Sequence, residues 1–419
     1  MRIALTTIGS RGDIQLYIAL GIELQKNGHS VTIITHPWAK QIVSLYGISH
    51  ISVGDDIDIN YSAKQFVENS SNNLQGFKFA LNFIYDTLRN CHKDFLSALK
   101  DFDIVIGHGI VGEAEAEILN KPFIQVSIAP MGLPKEYWKS KNIIKEFSVY
   151  LSDKIKGAIF GKPYIRFRKD AGVPSLKNKN SYPYLAIIPM PLFLQSPNSN
   201  WKNSTEITGY FFADTPSDYS PPKDLQNFIK KGEEPILITF GSMFHNQEQT
   251  KHLFRVACES LDKSGTRAVL IMPDLNEKEI TIPENVYIAK QIPYSWLLRE
   301  VKMVVHHFGF GTTAEVLKAG LPSIPIPHIF DQKIRASTIH KLGYAYKPLD
   351  INKINSNILS NAIIQVKNNQ KIKRKCIDAQ FMILNEKGTD NAVKLINSYI
   401  EKINTSPNKD YNHPIKMEH

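Results

Sequence analysis

Residues 301–332, VKMVVHHFGFGTTAEVLKAGLPSIPIPHIFDQ, read as strand, glycine loop, helix, strand and loop. Val301–His307 is a short apolar run ending in two histidines, Phe308–Gly311 a tight turn, and Thr312–Ala319 a helix with Val316 and Leu317 on its apolar side. Gly320 and Pro322 stop that helix, and Ser323–Pro327 is the next strand. A glycine turn from a strand into a helix leaves unpaired backbone N–H groups at the positive helix end, where a phosphate can sit. Units of this kind build parallel sheets with helices on both faces.

The same alternation opens the chain. Arg2–Ile8 reads as a buried strand, Gly9-Ser10-Arg11-Gly12-Asp13 as a loop, Ile14–Asn27 as a helix and Ser30–Thr35 as a second strand. Asp13 therefore stands where parallel sheets hold ligands, at a strand's carboxyl end; a helix N-cap is its alternative use. Asp103–Gly107 and Pro122–Ile128 continue the strands, and Gln75–Lys100 reads as a helix carrying Phe77, Phe79, Phe83, Tyr85 and Phe95. The segment 198–222, rich in Ser, Asn, Pro and aromatics, suits a linker. The pattern then restarts at Pro235–Phe240 and runs through helices over Asn355–Lys367, Lys371–Asn385 and Asp390–Lys402. Two doubly wound α/β domains are expected.

Composition narrows the class. The chain has 419 residues and a formal net charge of +10, from 50 basic against 40 acidic side chains. That balance suits an anionic partner such as a nucleotide, an acidic lipid surface or nucleic acid, and equally a basic solvated surface. Three widely spaced cysteines, Cys91, Cys258 and Cys376, suggest neither a disulfide framework nor a zinc ribbon. The apolar start is too short for a signal peptide, and the longest apolar run, Leu185–Leu194, holds two prolines. A cytoplasmic protein is expected, with contact at the inner face of a membrane as a further option. Asp56-Ile57-Asp58 resembles a metal-holding acidic pair, but such pairs are frequent in solvated loops, and no metal is expected.

Three readings of the central stretch stay open on its residues alone. Gly309-x-Gly311-x-x-Ala314 with Asp331 fits a dinucleotide fingerprint and hence an NAD-dependent oxidoreductase. A purely structural turn would leave His306 and His307 unexplained. A nucleotide-sugar site is the third.

The third gains from a resemblance. His306-His307-Phe308-Gly309-Phe310-Gly311-Thr312-Thr313 followed by Asp331-Gln332 resembles the donor-binding region of two-domain nucleotide-sugar-dependent glycosyltransferases, of the UDP-glucosyltransferase, sterol glucosyltransferase and antibiotic glycosyltransferase type. Gly9-Ser10-Arg11-Gly12-Asp13, Gly209-Tyr210-Phe211, Phe240-Gly241-Ser242-Met243 and Pro293-Tyr294-x-Trp296-Leu297-Leu298 agree in order. The resemblance implies the GT-B fold: two Rossmann-like doubly wound domains facing across a cleft. It implies an N-terminal acceptor-binding domain over 1–210, a linker over 211–232 and a C-terminal nucleotide-sugar-binding domain over 233–386. A helix over 387–403 would return to the first domain, before a disordered tail over 404–419.

It also implies roles. Ser242, His307 and Thr312 would contact a diphosphate beside the backbone of Gly309 and Gly311. Glu315 would hold ribose hydroxyls, although Thr312-x-x-Glu315 also reads as a capping box. Asp331 and Gln332 would bind the sugar, and Asp13 would be the general base of an inverting hexosyl transfer. The donor would be a UDP-sugar or dTDP-sugar, a co-substrate, with no cofactor. The acceptor would be a lipophilic hydroxylated molecule such as a sterol, terpenoid, polyketide or lipid. Nucleic acid is not an expected partner. A nucleotide-sugar isomerase of the same architecture is the nearest rival. Two positions depart from the family pattern: Leu16, usually proline, and Phe308, usually glycine. A phenylalanine at 308 should resist a positive φ.

Overall fold

The computed structural model describes residues 1–55, 74–128, 162–173, 185–195, 205–216, 219–241, 247–273, 275–277, 280–290 and 292–405. They form two compact units. The described residues within 1–55, 74–213 and 386–405 make up the first, and those within 214–385 the second.

The first unit is built on β1 (Arg2–Thr6), β2 (Ser30–Thr35), β3 (Ser49–Ser52), β4 (Ile104–His108), β5 (Phe123–Val126), β6 (Leu185–Ile188) and β7 (Thr205–Ile207). These lie side by side as β3-β2-β1-β4-β5-β6-β7 with parallel pairing throughout. Covered on both faces, such strands carry continuous apolar runs instead of alternation. Ile3, Leu5, Ile33, Ile34, Ile104 and Ile106 accordingly have no solvent exposure. β7 falls inside the segment read as a linker; three residues give no recognisable pattern.

The second unit has β8 (Ile236–Thr239), β9 (Ala268–Ile271), β10 (Val286–Ala289), β11 (Val304–His306) and β12 (Ser323–Pro325), ordered β10-β9-β8-β11-β12 and again parallel. One face is covered by the helices Gln247–Ser264 and Ser356–Asn368, whose Leu253, Ala257, Leu261, Leu359 and Ile363 enter the core with Ile236 and Ile238 of β8.

In both sheets the strand order reverses beside the first strand: at β1 and β4 in one, at β8 and β11 in the other. In doubly wound sheets the helices after two such strands leave to opposite faces and open a crevice at the strands' carboxyl ends. Asp13 follows β1, and the glycine loop follows β11.

The last helix, Gly388–Thr405, belongs to the first unit and packs on the helix Arg11–Lys26. His29 Nε2 lies 2.8 Å from Asn397 Oδ1, and Asn391 donates to the Thr208 carbonyl at 3.2 Å. A Cβ on Gly388 would fall 2.3 Å from the Tyr210 carbonyl oxygen, so only glycine allows this approach.

Candidate active site

His307 anchors the loop of the second unit. Its ring, buried, lies between two backbone turns: a Cβ on Gly241 would fall 2.4 Å from its Cε1, and one on Gly309 2.3 Å from its Nε2. Gly241 follows β8 with φ +62, and Gly309 follows β11. The two glycines thus let an imidazole stand at the strand-order reversal. Gly309 is also the N-cap of the helix Phe310–Lys318, so the helix begins two residues earlier than the sequence suggested. Gly311 and Thr312 consequently lie in its first turn, where backbone N–H groups have no intrahelical acceptor. Thr313 donates back to the Gly309 carbonyl at 2.8 Å. Thr312 is not an N-cap, which removes the capping-box explanation of Glu315. Burial pushes the Glu315 carboxyl up to about 7, with Lys318 pulling it down and Asp214 adding to the rise.

Phe308 does take the left-handed backbone that its side chain disfavours, at φ +63. Its neighbours compensate. The ring is fully buried and stacks on His306, centroids 4.2 Å apart and planes 18° from parallel. The Phe308 N–H donates to His306 Nδ1 at 3.3 Å, and Arg335 donates to the Phe308 carbonyl at 2.7 Å. Burial, and secondarily Arg335, lower the His306 ring to about 3, so the imidazole is neutral. A neutral ring accepting at Nδ1 carries its proton on Nε2, which has no partner among the described residues.

Arg335 also reaches Asp331 Oδ2 at 3.3 Å and lies over the Phe310 ring, 5.5 Å from its centroid. It thereby ties the glycine loop to the start of the helix Phe330–Leu342, which follows β12. Gln332, three residues into that helix, accepts from the backbone N–H groups of His328 at 2.9 Å and Ile329 at 3.3 Å. Ser242 lies outside the described residues, as do Asp56 and Asp58.

In the first unit the helix Arg11–Lys26 starts earlier than expected, with Ser10 as its N-cap. Asp13 is three residues in and is not the cap itself. Its Oδ2 accepts from the Ser10 N–H at 2.8 Å and the Ser10 hydroxyl at 2.9 Å. Gly9, at φ +140, leaves that oxygen room. One turn on, Tyr17 is wholly buried and its hydroxyl has no partner among the described residues. Burial first, then the charge of Asp13, hold that phenol well above the usual tyrosine range. His108, at the end of β4, lies 5.8 Å from the Tyr17 ring centroid to centroid, with its Nδ1 3.3 Å from Thr7 Oγ1. Leu16 is buried in an unbroken helix.

The structure thus gathers His307, Gly309, Gly311 and Thr312 around one turn, with Asp331 and Gln332 at a neighbouring helix start in the same unit. Sequence reasoning missed Arg335, Tyr17 and His108. His108 ends a strand beside the one preceding Asp13, and that position could have marked it. Nothing in the spacing marks Arg335.

Residues 3–102 match the glycosyltransferase family 28 N-terminal domain, and residues 261–385 match the erythromycin biosynthesis protein CIII-like C-terminal domain. Over 428 residues the chain is 29% identical to a sterol 3-beta-glucosyltransferase of Vanderwaltozyma polyspora, an alignment covering 94% of this chain and 34% of that protein. The chain spans about a third of the length of the sterol 3-beta-glucosyltransferases it matches first. It is 25% identical over 447 residues to the O-mycaminosyltylonolide 6-deoxyallosyltransferase of Streptomyces fradiae, covering 97% of this chain and 99% of that enzyme. The solved glycotransferase of kitacinnamycin shares the fold with a TM-score of 0.72 at 19% identity, covering 95% and 98% of the two chains. The glycosyltransferase VinC, solved in complex with dTDP, does so at 0.68 and 16%, covering 96% and 100%.

Proposed function

We propose that this chain, a glycosyltransferase of the GT-B type carrying a family 28 N-terminal domain and an erythromycin biosynthesis protein CIII-like C-terminal domain, moves a hexose from a UDP- or dTDP-sugar to a hydroxyl of a lipophilic small molecule. The observation that carries this reading is the seat of His307 between Gly241 and Gly309, at the strand-order reversal and before a helix N-terminus. A leaving nucleoside diphosphate needs donors fixed in advance where negative charge grows, and this turn offers an imidazole, the Thr312 hydroxyl and first-turn amides. Glu315 hydrogen-bonds the ribose, and Asp331 and Gln332 the sugar hydroxyls. Ser242 joins the diphosphate contacts.

The chemistry is a single displacement. Asp13 takes the acceptor's hydroxyl proton as that oxygen bonds to the anomeric carbon. The bond from that carbon to the diphosphate breaks, and the nucleotide leaves with the electron pair. Attack opposite the leaving group inverts the centre. Asp13 suits the base role because its Oδ2 is fixed by Ser10, which aims the carboxyl group. The similar proteins named above act on a sterol and on a mycaminosyl tylonolide, and both kinds of acceptor fit a lipophilic alcohol.

The test is a screen for UDP or dTDP release against a panel of lipophilic alcohols. Release dependent on both donor and alcohol is expected. Release without any alcohol, or thermal protection by NADH and not by UDP or dTDP, would overturn the reading.

A further inference from the structure

The helix Gln370–Glu386 carries two apolar stripes, and only one of them is packed. Ile372, Cys376, Ala379 and Ile383, at spacings of four, three and four, are buried and form its core side. Ile377, Phe381 and Leu384 repeat the four–three spacing but are 57%, 70% and 54% exposed. At about 100° per residue these three fall within roughly 60° of each other and roughly 140° from the centre of the core side. A surface helix ordinarily fills that side with polar residues. Phenylalanine at this exposure is a cost to solubility unless something covers it.

The flanking charge identifies what covers it. Lys371, Lys373, Arg374 and Lys375 occupy the first two turns, and no acid precedes Asp378. Lys375 is turned to the Leu342 carbonyl, 2.7 Å away. Lys373 and Arg374 fall on the side of Ile377, one turn before it, within roughly 60° of its direction. An apolar stripe continued by basic residues matches an anionic bilayer, with hydrocarbon below and phosphate above. It does not match a stable protein interface, which takes about 800 Å² from each partner, far more than three side chains supply. Among the described residues no helix is long and apolar enough to cross a membrane, so attachment here is shallow.

We propose that the outward side of the helix Gln370–Glu386 is a docking surface for an anionic lipid bilayer, with Ile377, Phe381 and Leu384 inserted and Lys373 and Arg374 at the headgroups. The proposal stands on this surface alone. With the transfer reaction above, it places the enzyme where lipophilic acceptors dissolve.

Co-sedimentation of the full chain with vesicles tests it. Binding to phosphatidylglycerol–phosphatidylcholine vesicles is expected to exceed binding to pure phosphatidylcholine and to fall with salt. Ile377→Ser with Phe381→Ser should weaken it at least roughly tenfold without lowering the melting temperature, since both side chains are already exposed. Lys373→Glu with Arg374→Glu should weaken it roughly 30-fold or more. Three results overturn the proposal: no binding of the parent protein to anionic vesicles, unchanged binding by both variants, or a concentration-dependent dimer that Phe381→Ser converts to monomer. The thermal shift caused by UDP should be equal in parent and variants, which separates failure of this surface from failure of the donor site.

Discussion

Arg335 donates to the backbone carbonyl of Phe308 at 2.7 Å, from a side chain only 13% exposed. The residue in a disfavoured backbone conformation is thus held by a cation 27 positions away. The same guanidinium reaches Asp331, so the glycine loop and the start of the helix Phe330–Leu342 are tied through one group.

Phe308 can be split into strain and packing. A left-handed backbone costs a non-glycine residue about 1–2 kcal/mol, whereas removing a buried phenylalanine costs about 3–5 kcal/mol. Packing wins, so Phe308→Gly and Phe308→Ala should both melt below the parent. Alanine keeps the strain and glycine does not, so the alanine variant should be lower by about 1 kcal/mol in urea unfolding. Equal stability of the two would show that the backbone is unstrained.

Arg335→Met should cost about 1.5–3 kcal/mol, the usual loss for a charge-assisted hydrogen bond whose buried acceptor stays behind. It also removes one of the two causes that depress His306, so the His306 ring should titrate closer to the ordinary histidine range by NMR. Loosening Asp331 should raise the donor-sugar KM while leaving UDP affinity nearly unchanged. Equal loss of both affinities would place Arg335 in nucleotide binding instead.

Asp13→Asn should cut transfer roughly 10²- to 10⁴-fold, the range for losing a general base. An asparagine oxygen can still accept from the Ser10 amide, so the helix start and nucleotide binding should persist. Asp13→Ala should in addition cost about 1 kcal/mol for the lost bonds at the helix start. Unchanged turnover in Asp13→Asn would reject the base.

Glu113 gives the molecule a pH signature of its own. Burial pushes its carboxyl from 4.5 up to about 7, against the Tyr164 hydroxyl, which donates to it at 2.7 Å, and Arg168. The folded chain then holds a proton that the unfolded chain releases. This contribution to stability is complete below pH 4.5 and disappears as pH rises through 7. At about 1.36 kcal/mol per unit the loss reaches about 3 kcal/mol. Glu113→Gln mimics the neutral acid at every pH, so it should gain on the parent between pH 5 and pH 8 in urea unfolding. A constant difference would refute the assignment.

The fold was legible because buried parallel strands write themselves as apolar runs, and Gly28, Gly320 and Pro322 punctuate the helices. That His307, Gly309 and Thr312 share one turn was legible because they lie within six residues of each other. Arg335 was not, since its contacts depend on β12 lying beside β11, a tertiary fact. Phe308 misled because local preference argued against a conformation that His306 stacking and Arg335 enforce. Helix starts at Arg11 and Phe310 fell two to three residues earlier than expected. Sequence spacing does not tell a loop glycine from a first-turn glycine.

The helix Gly388–Thr405 completes the first unit but follows the whole of the second in the chain. During synthesis the helix Arg11–Lys26 therefore waits, with the side it offers to that helix uncovered, while the second unit is made and folds. Loss of this helix alone would do its damage in a unit whose sheet is made before the second unit.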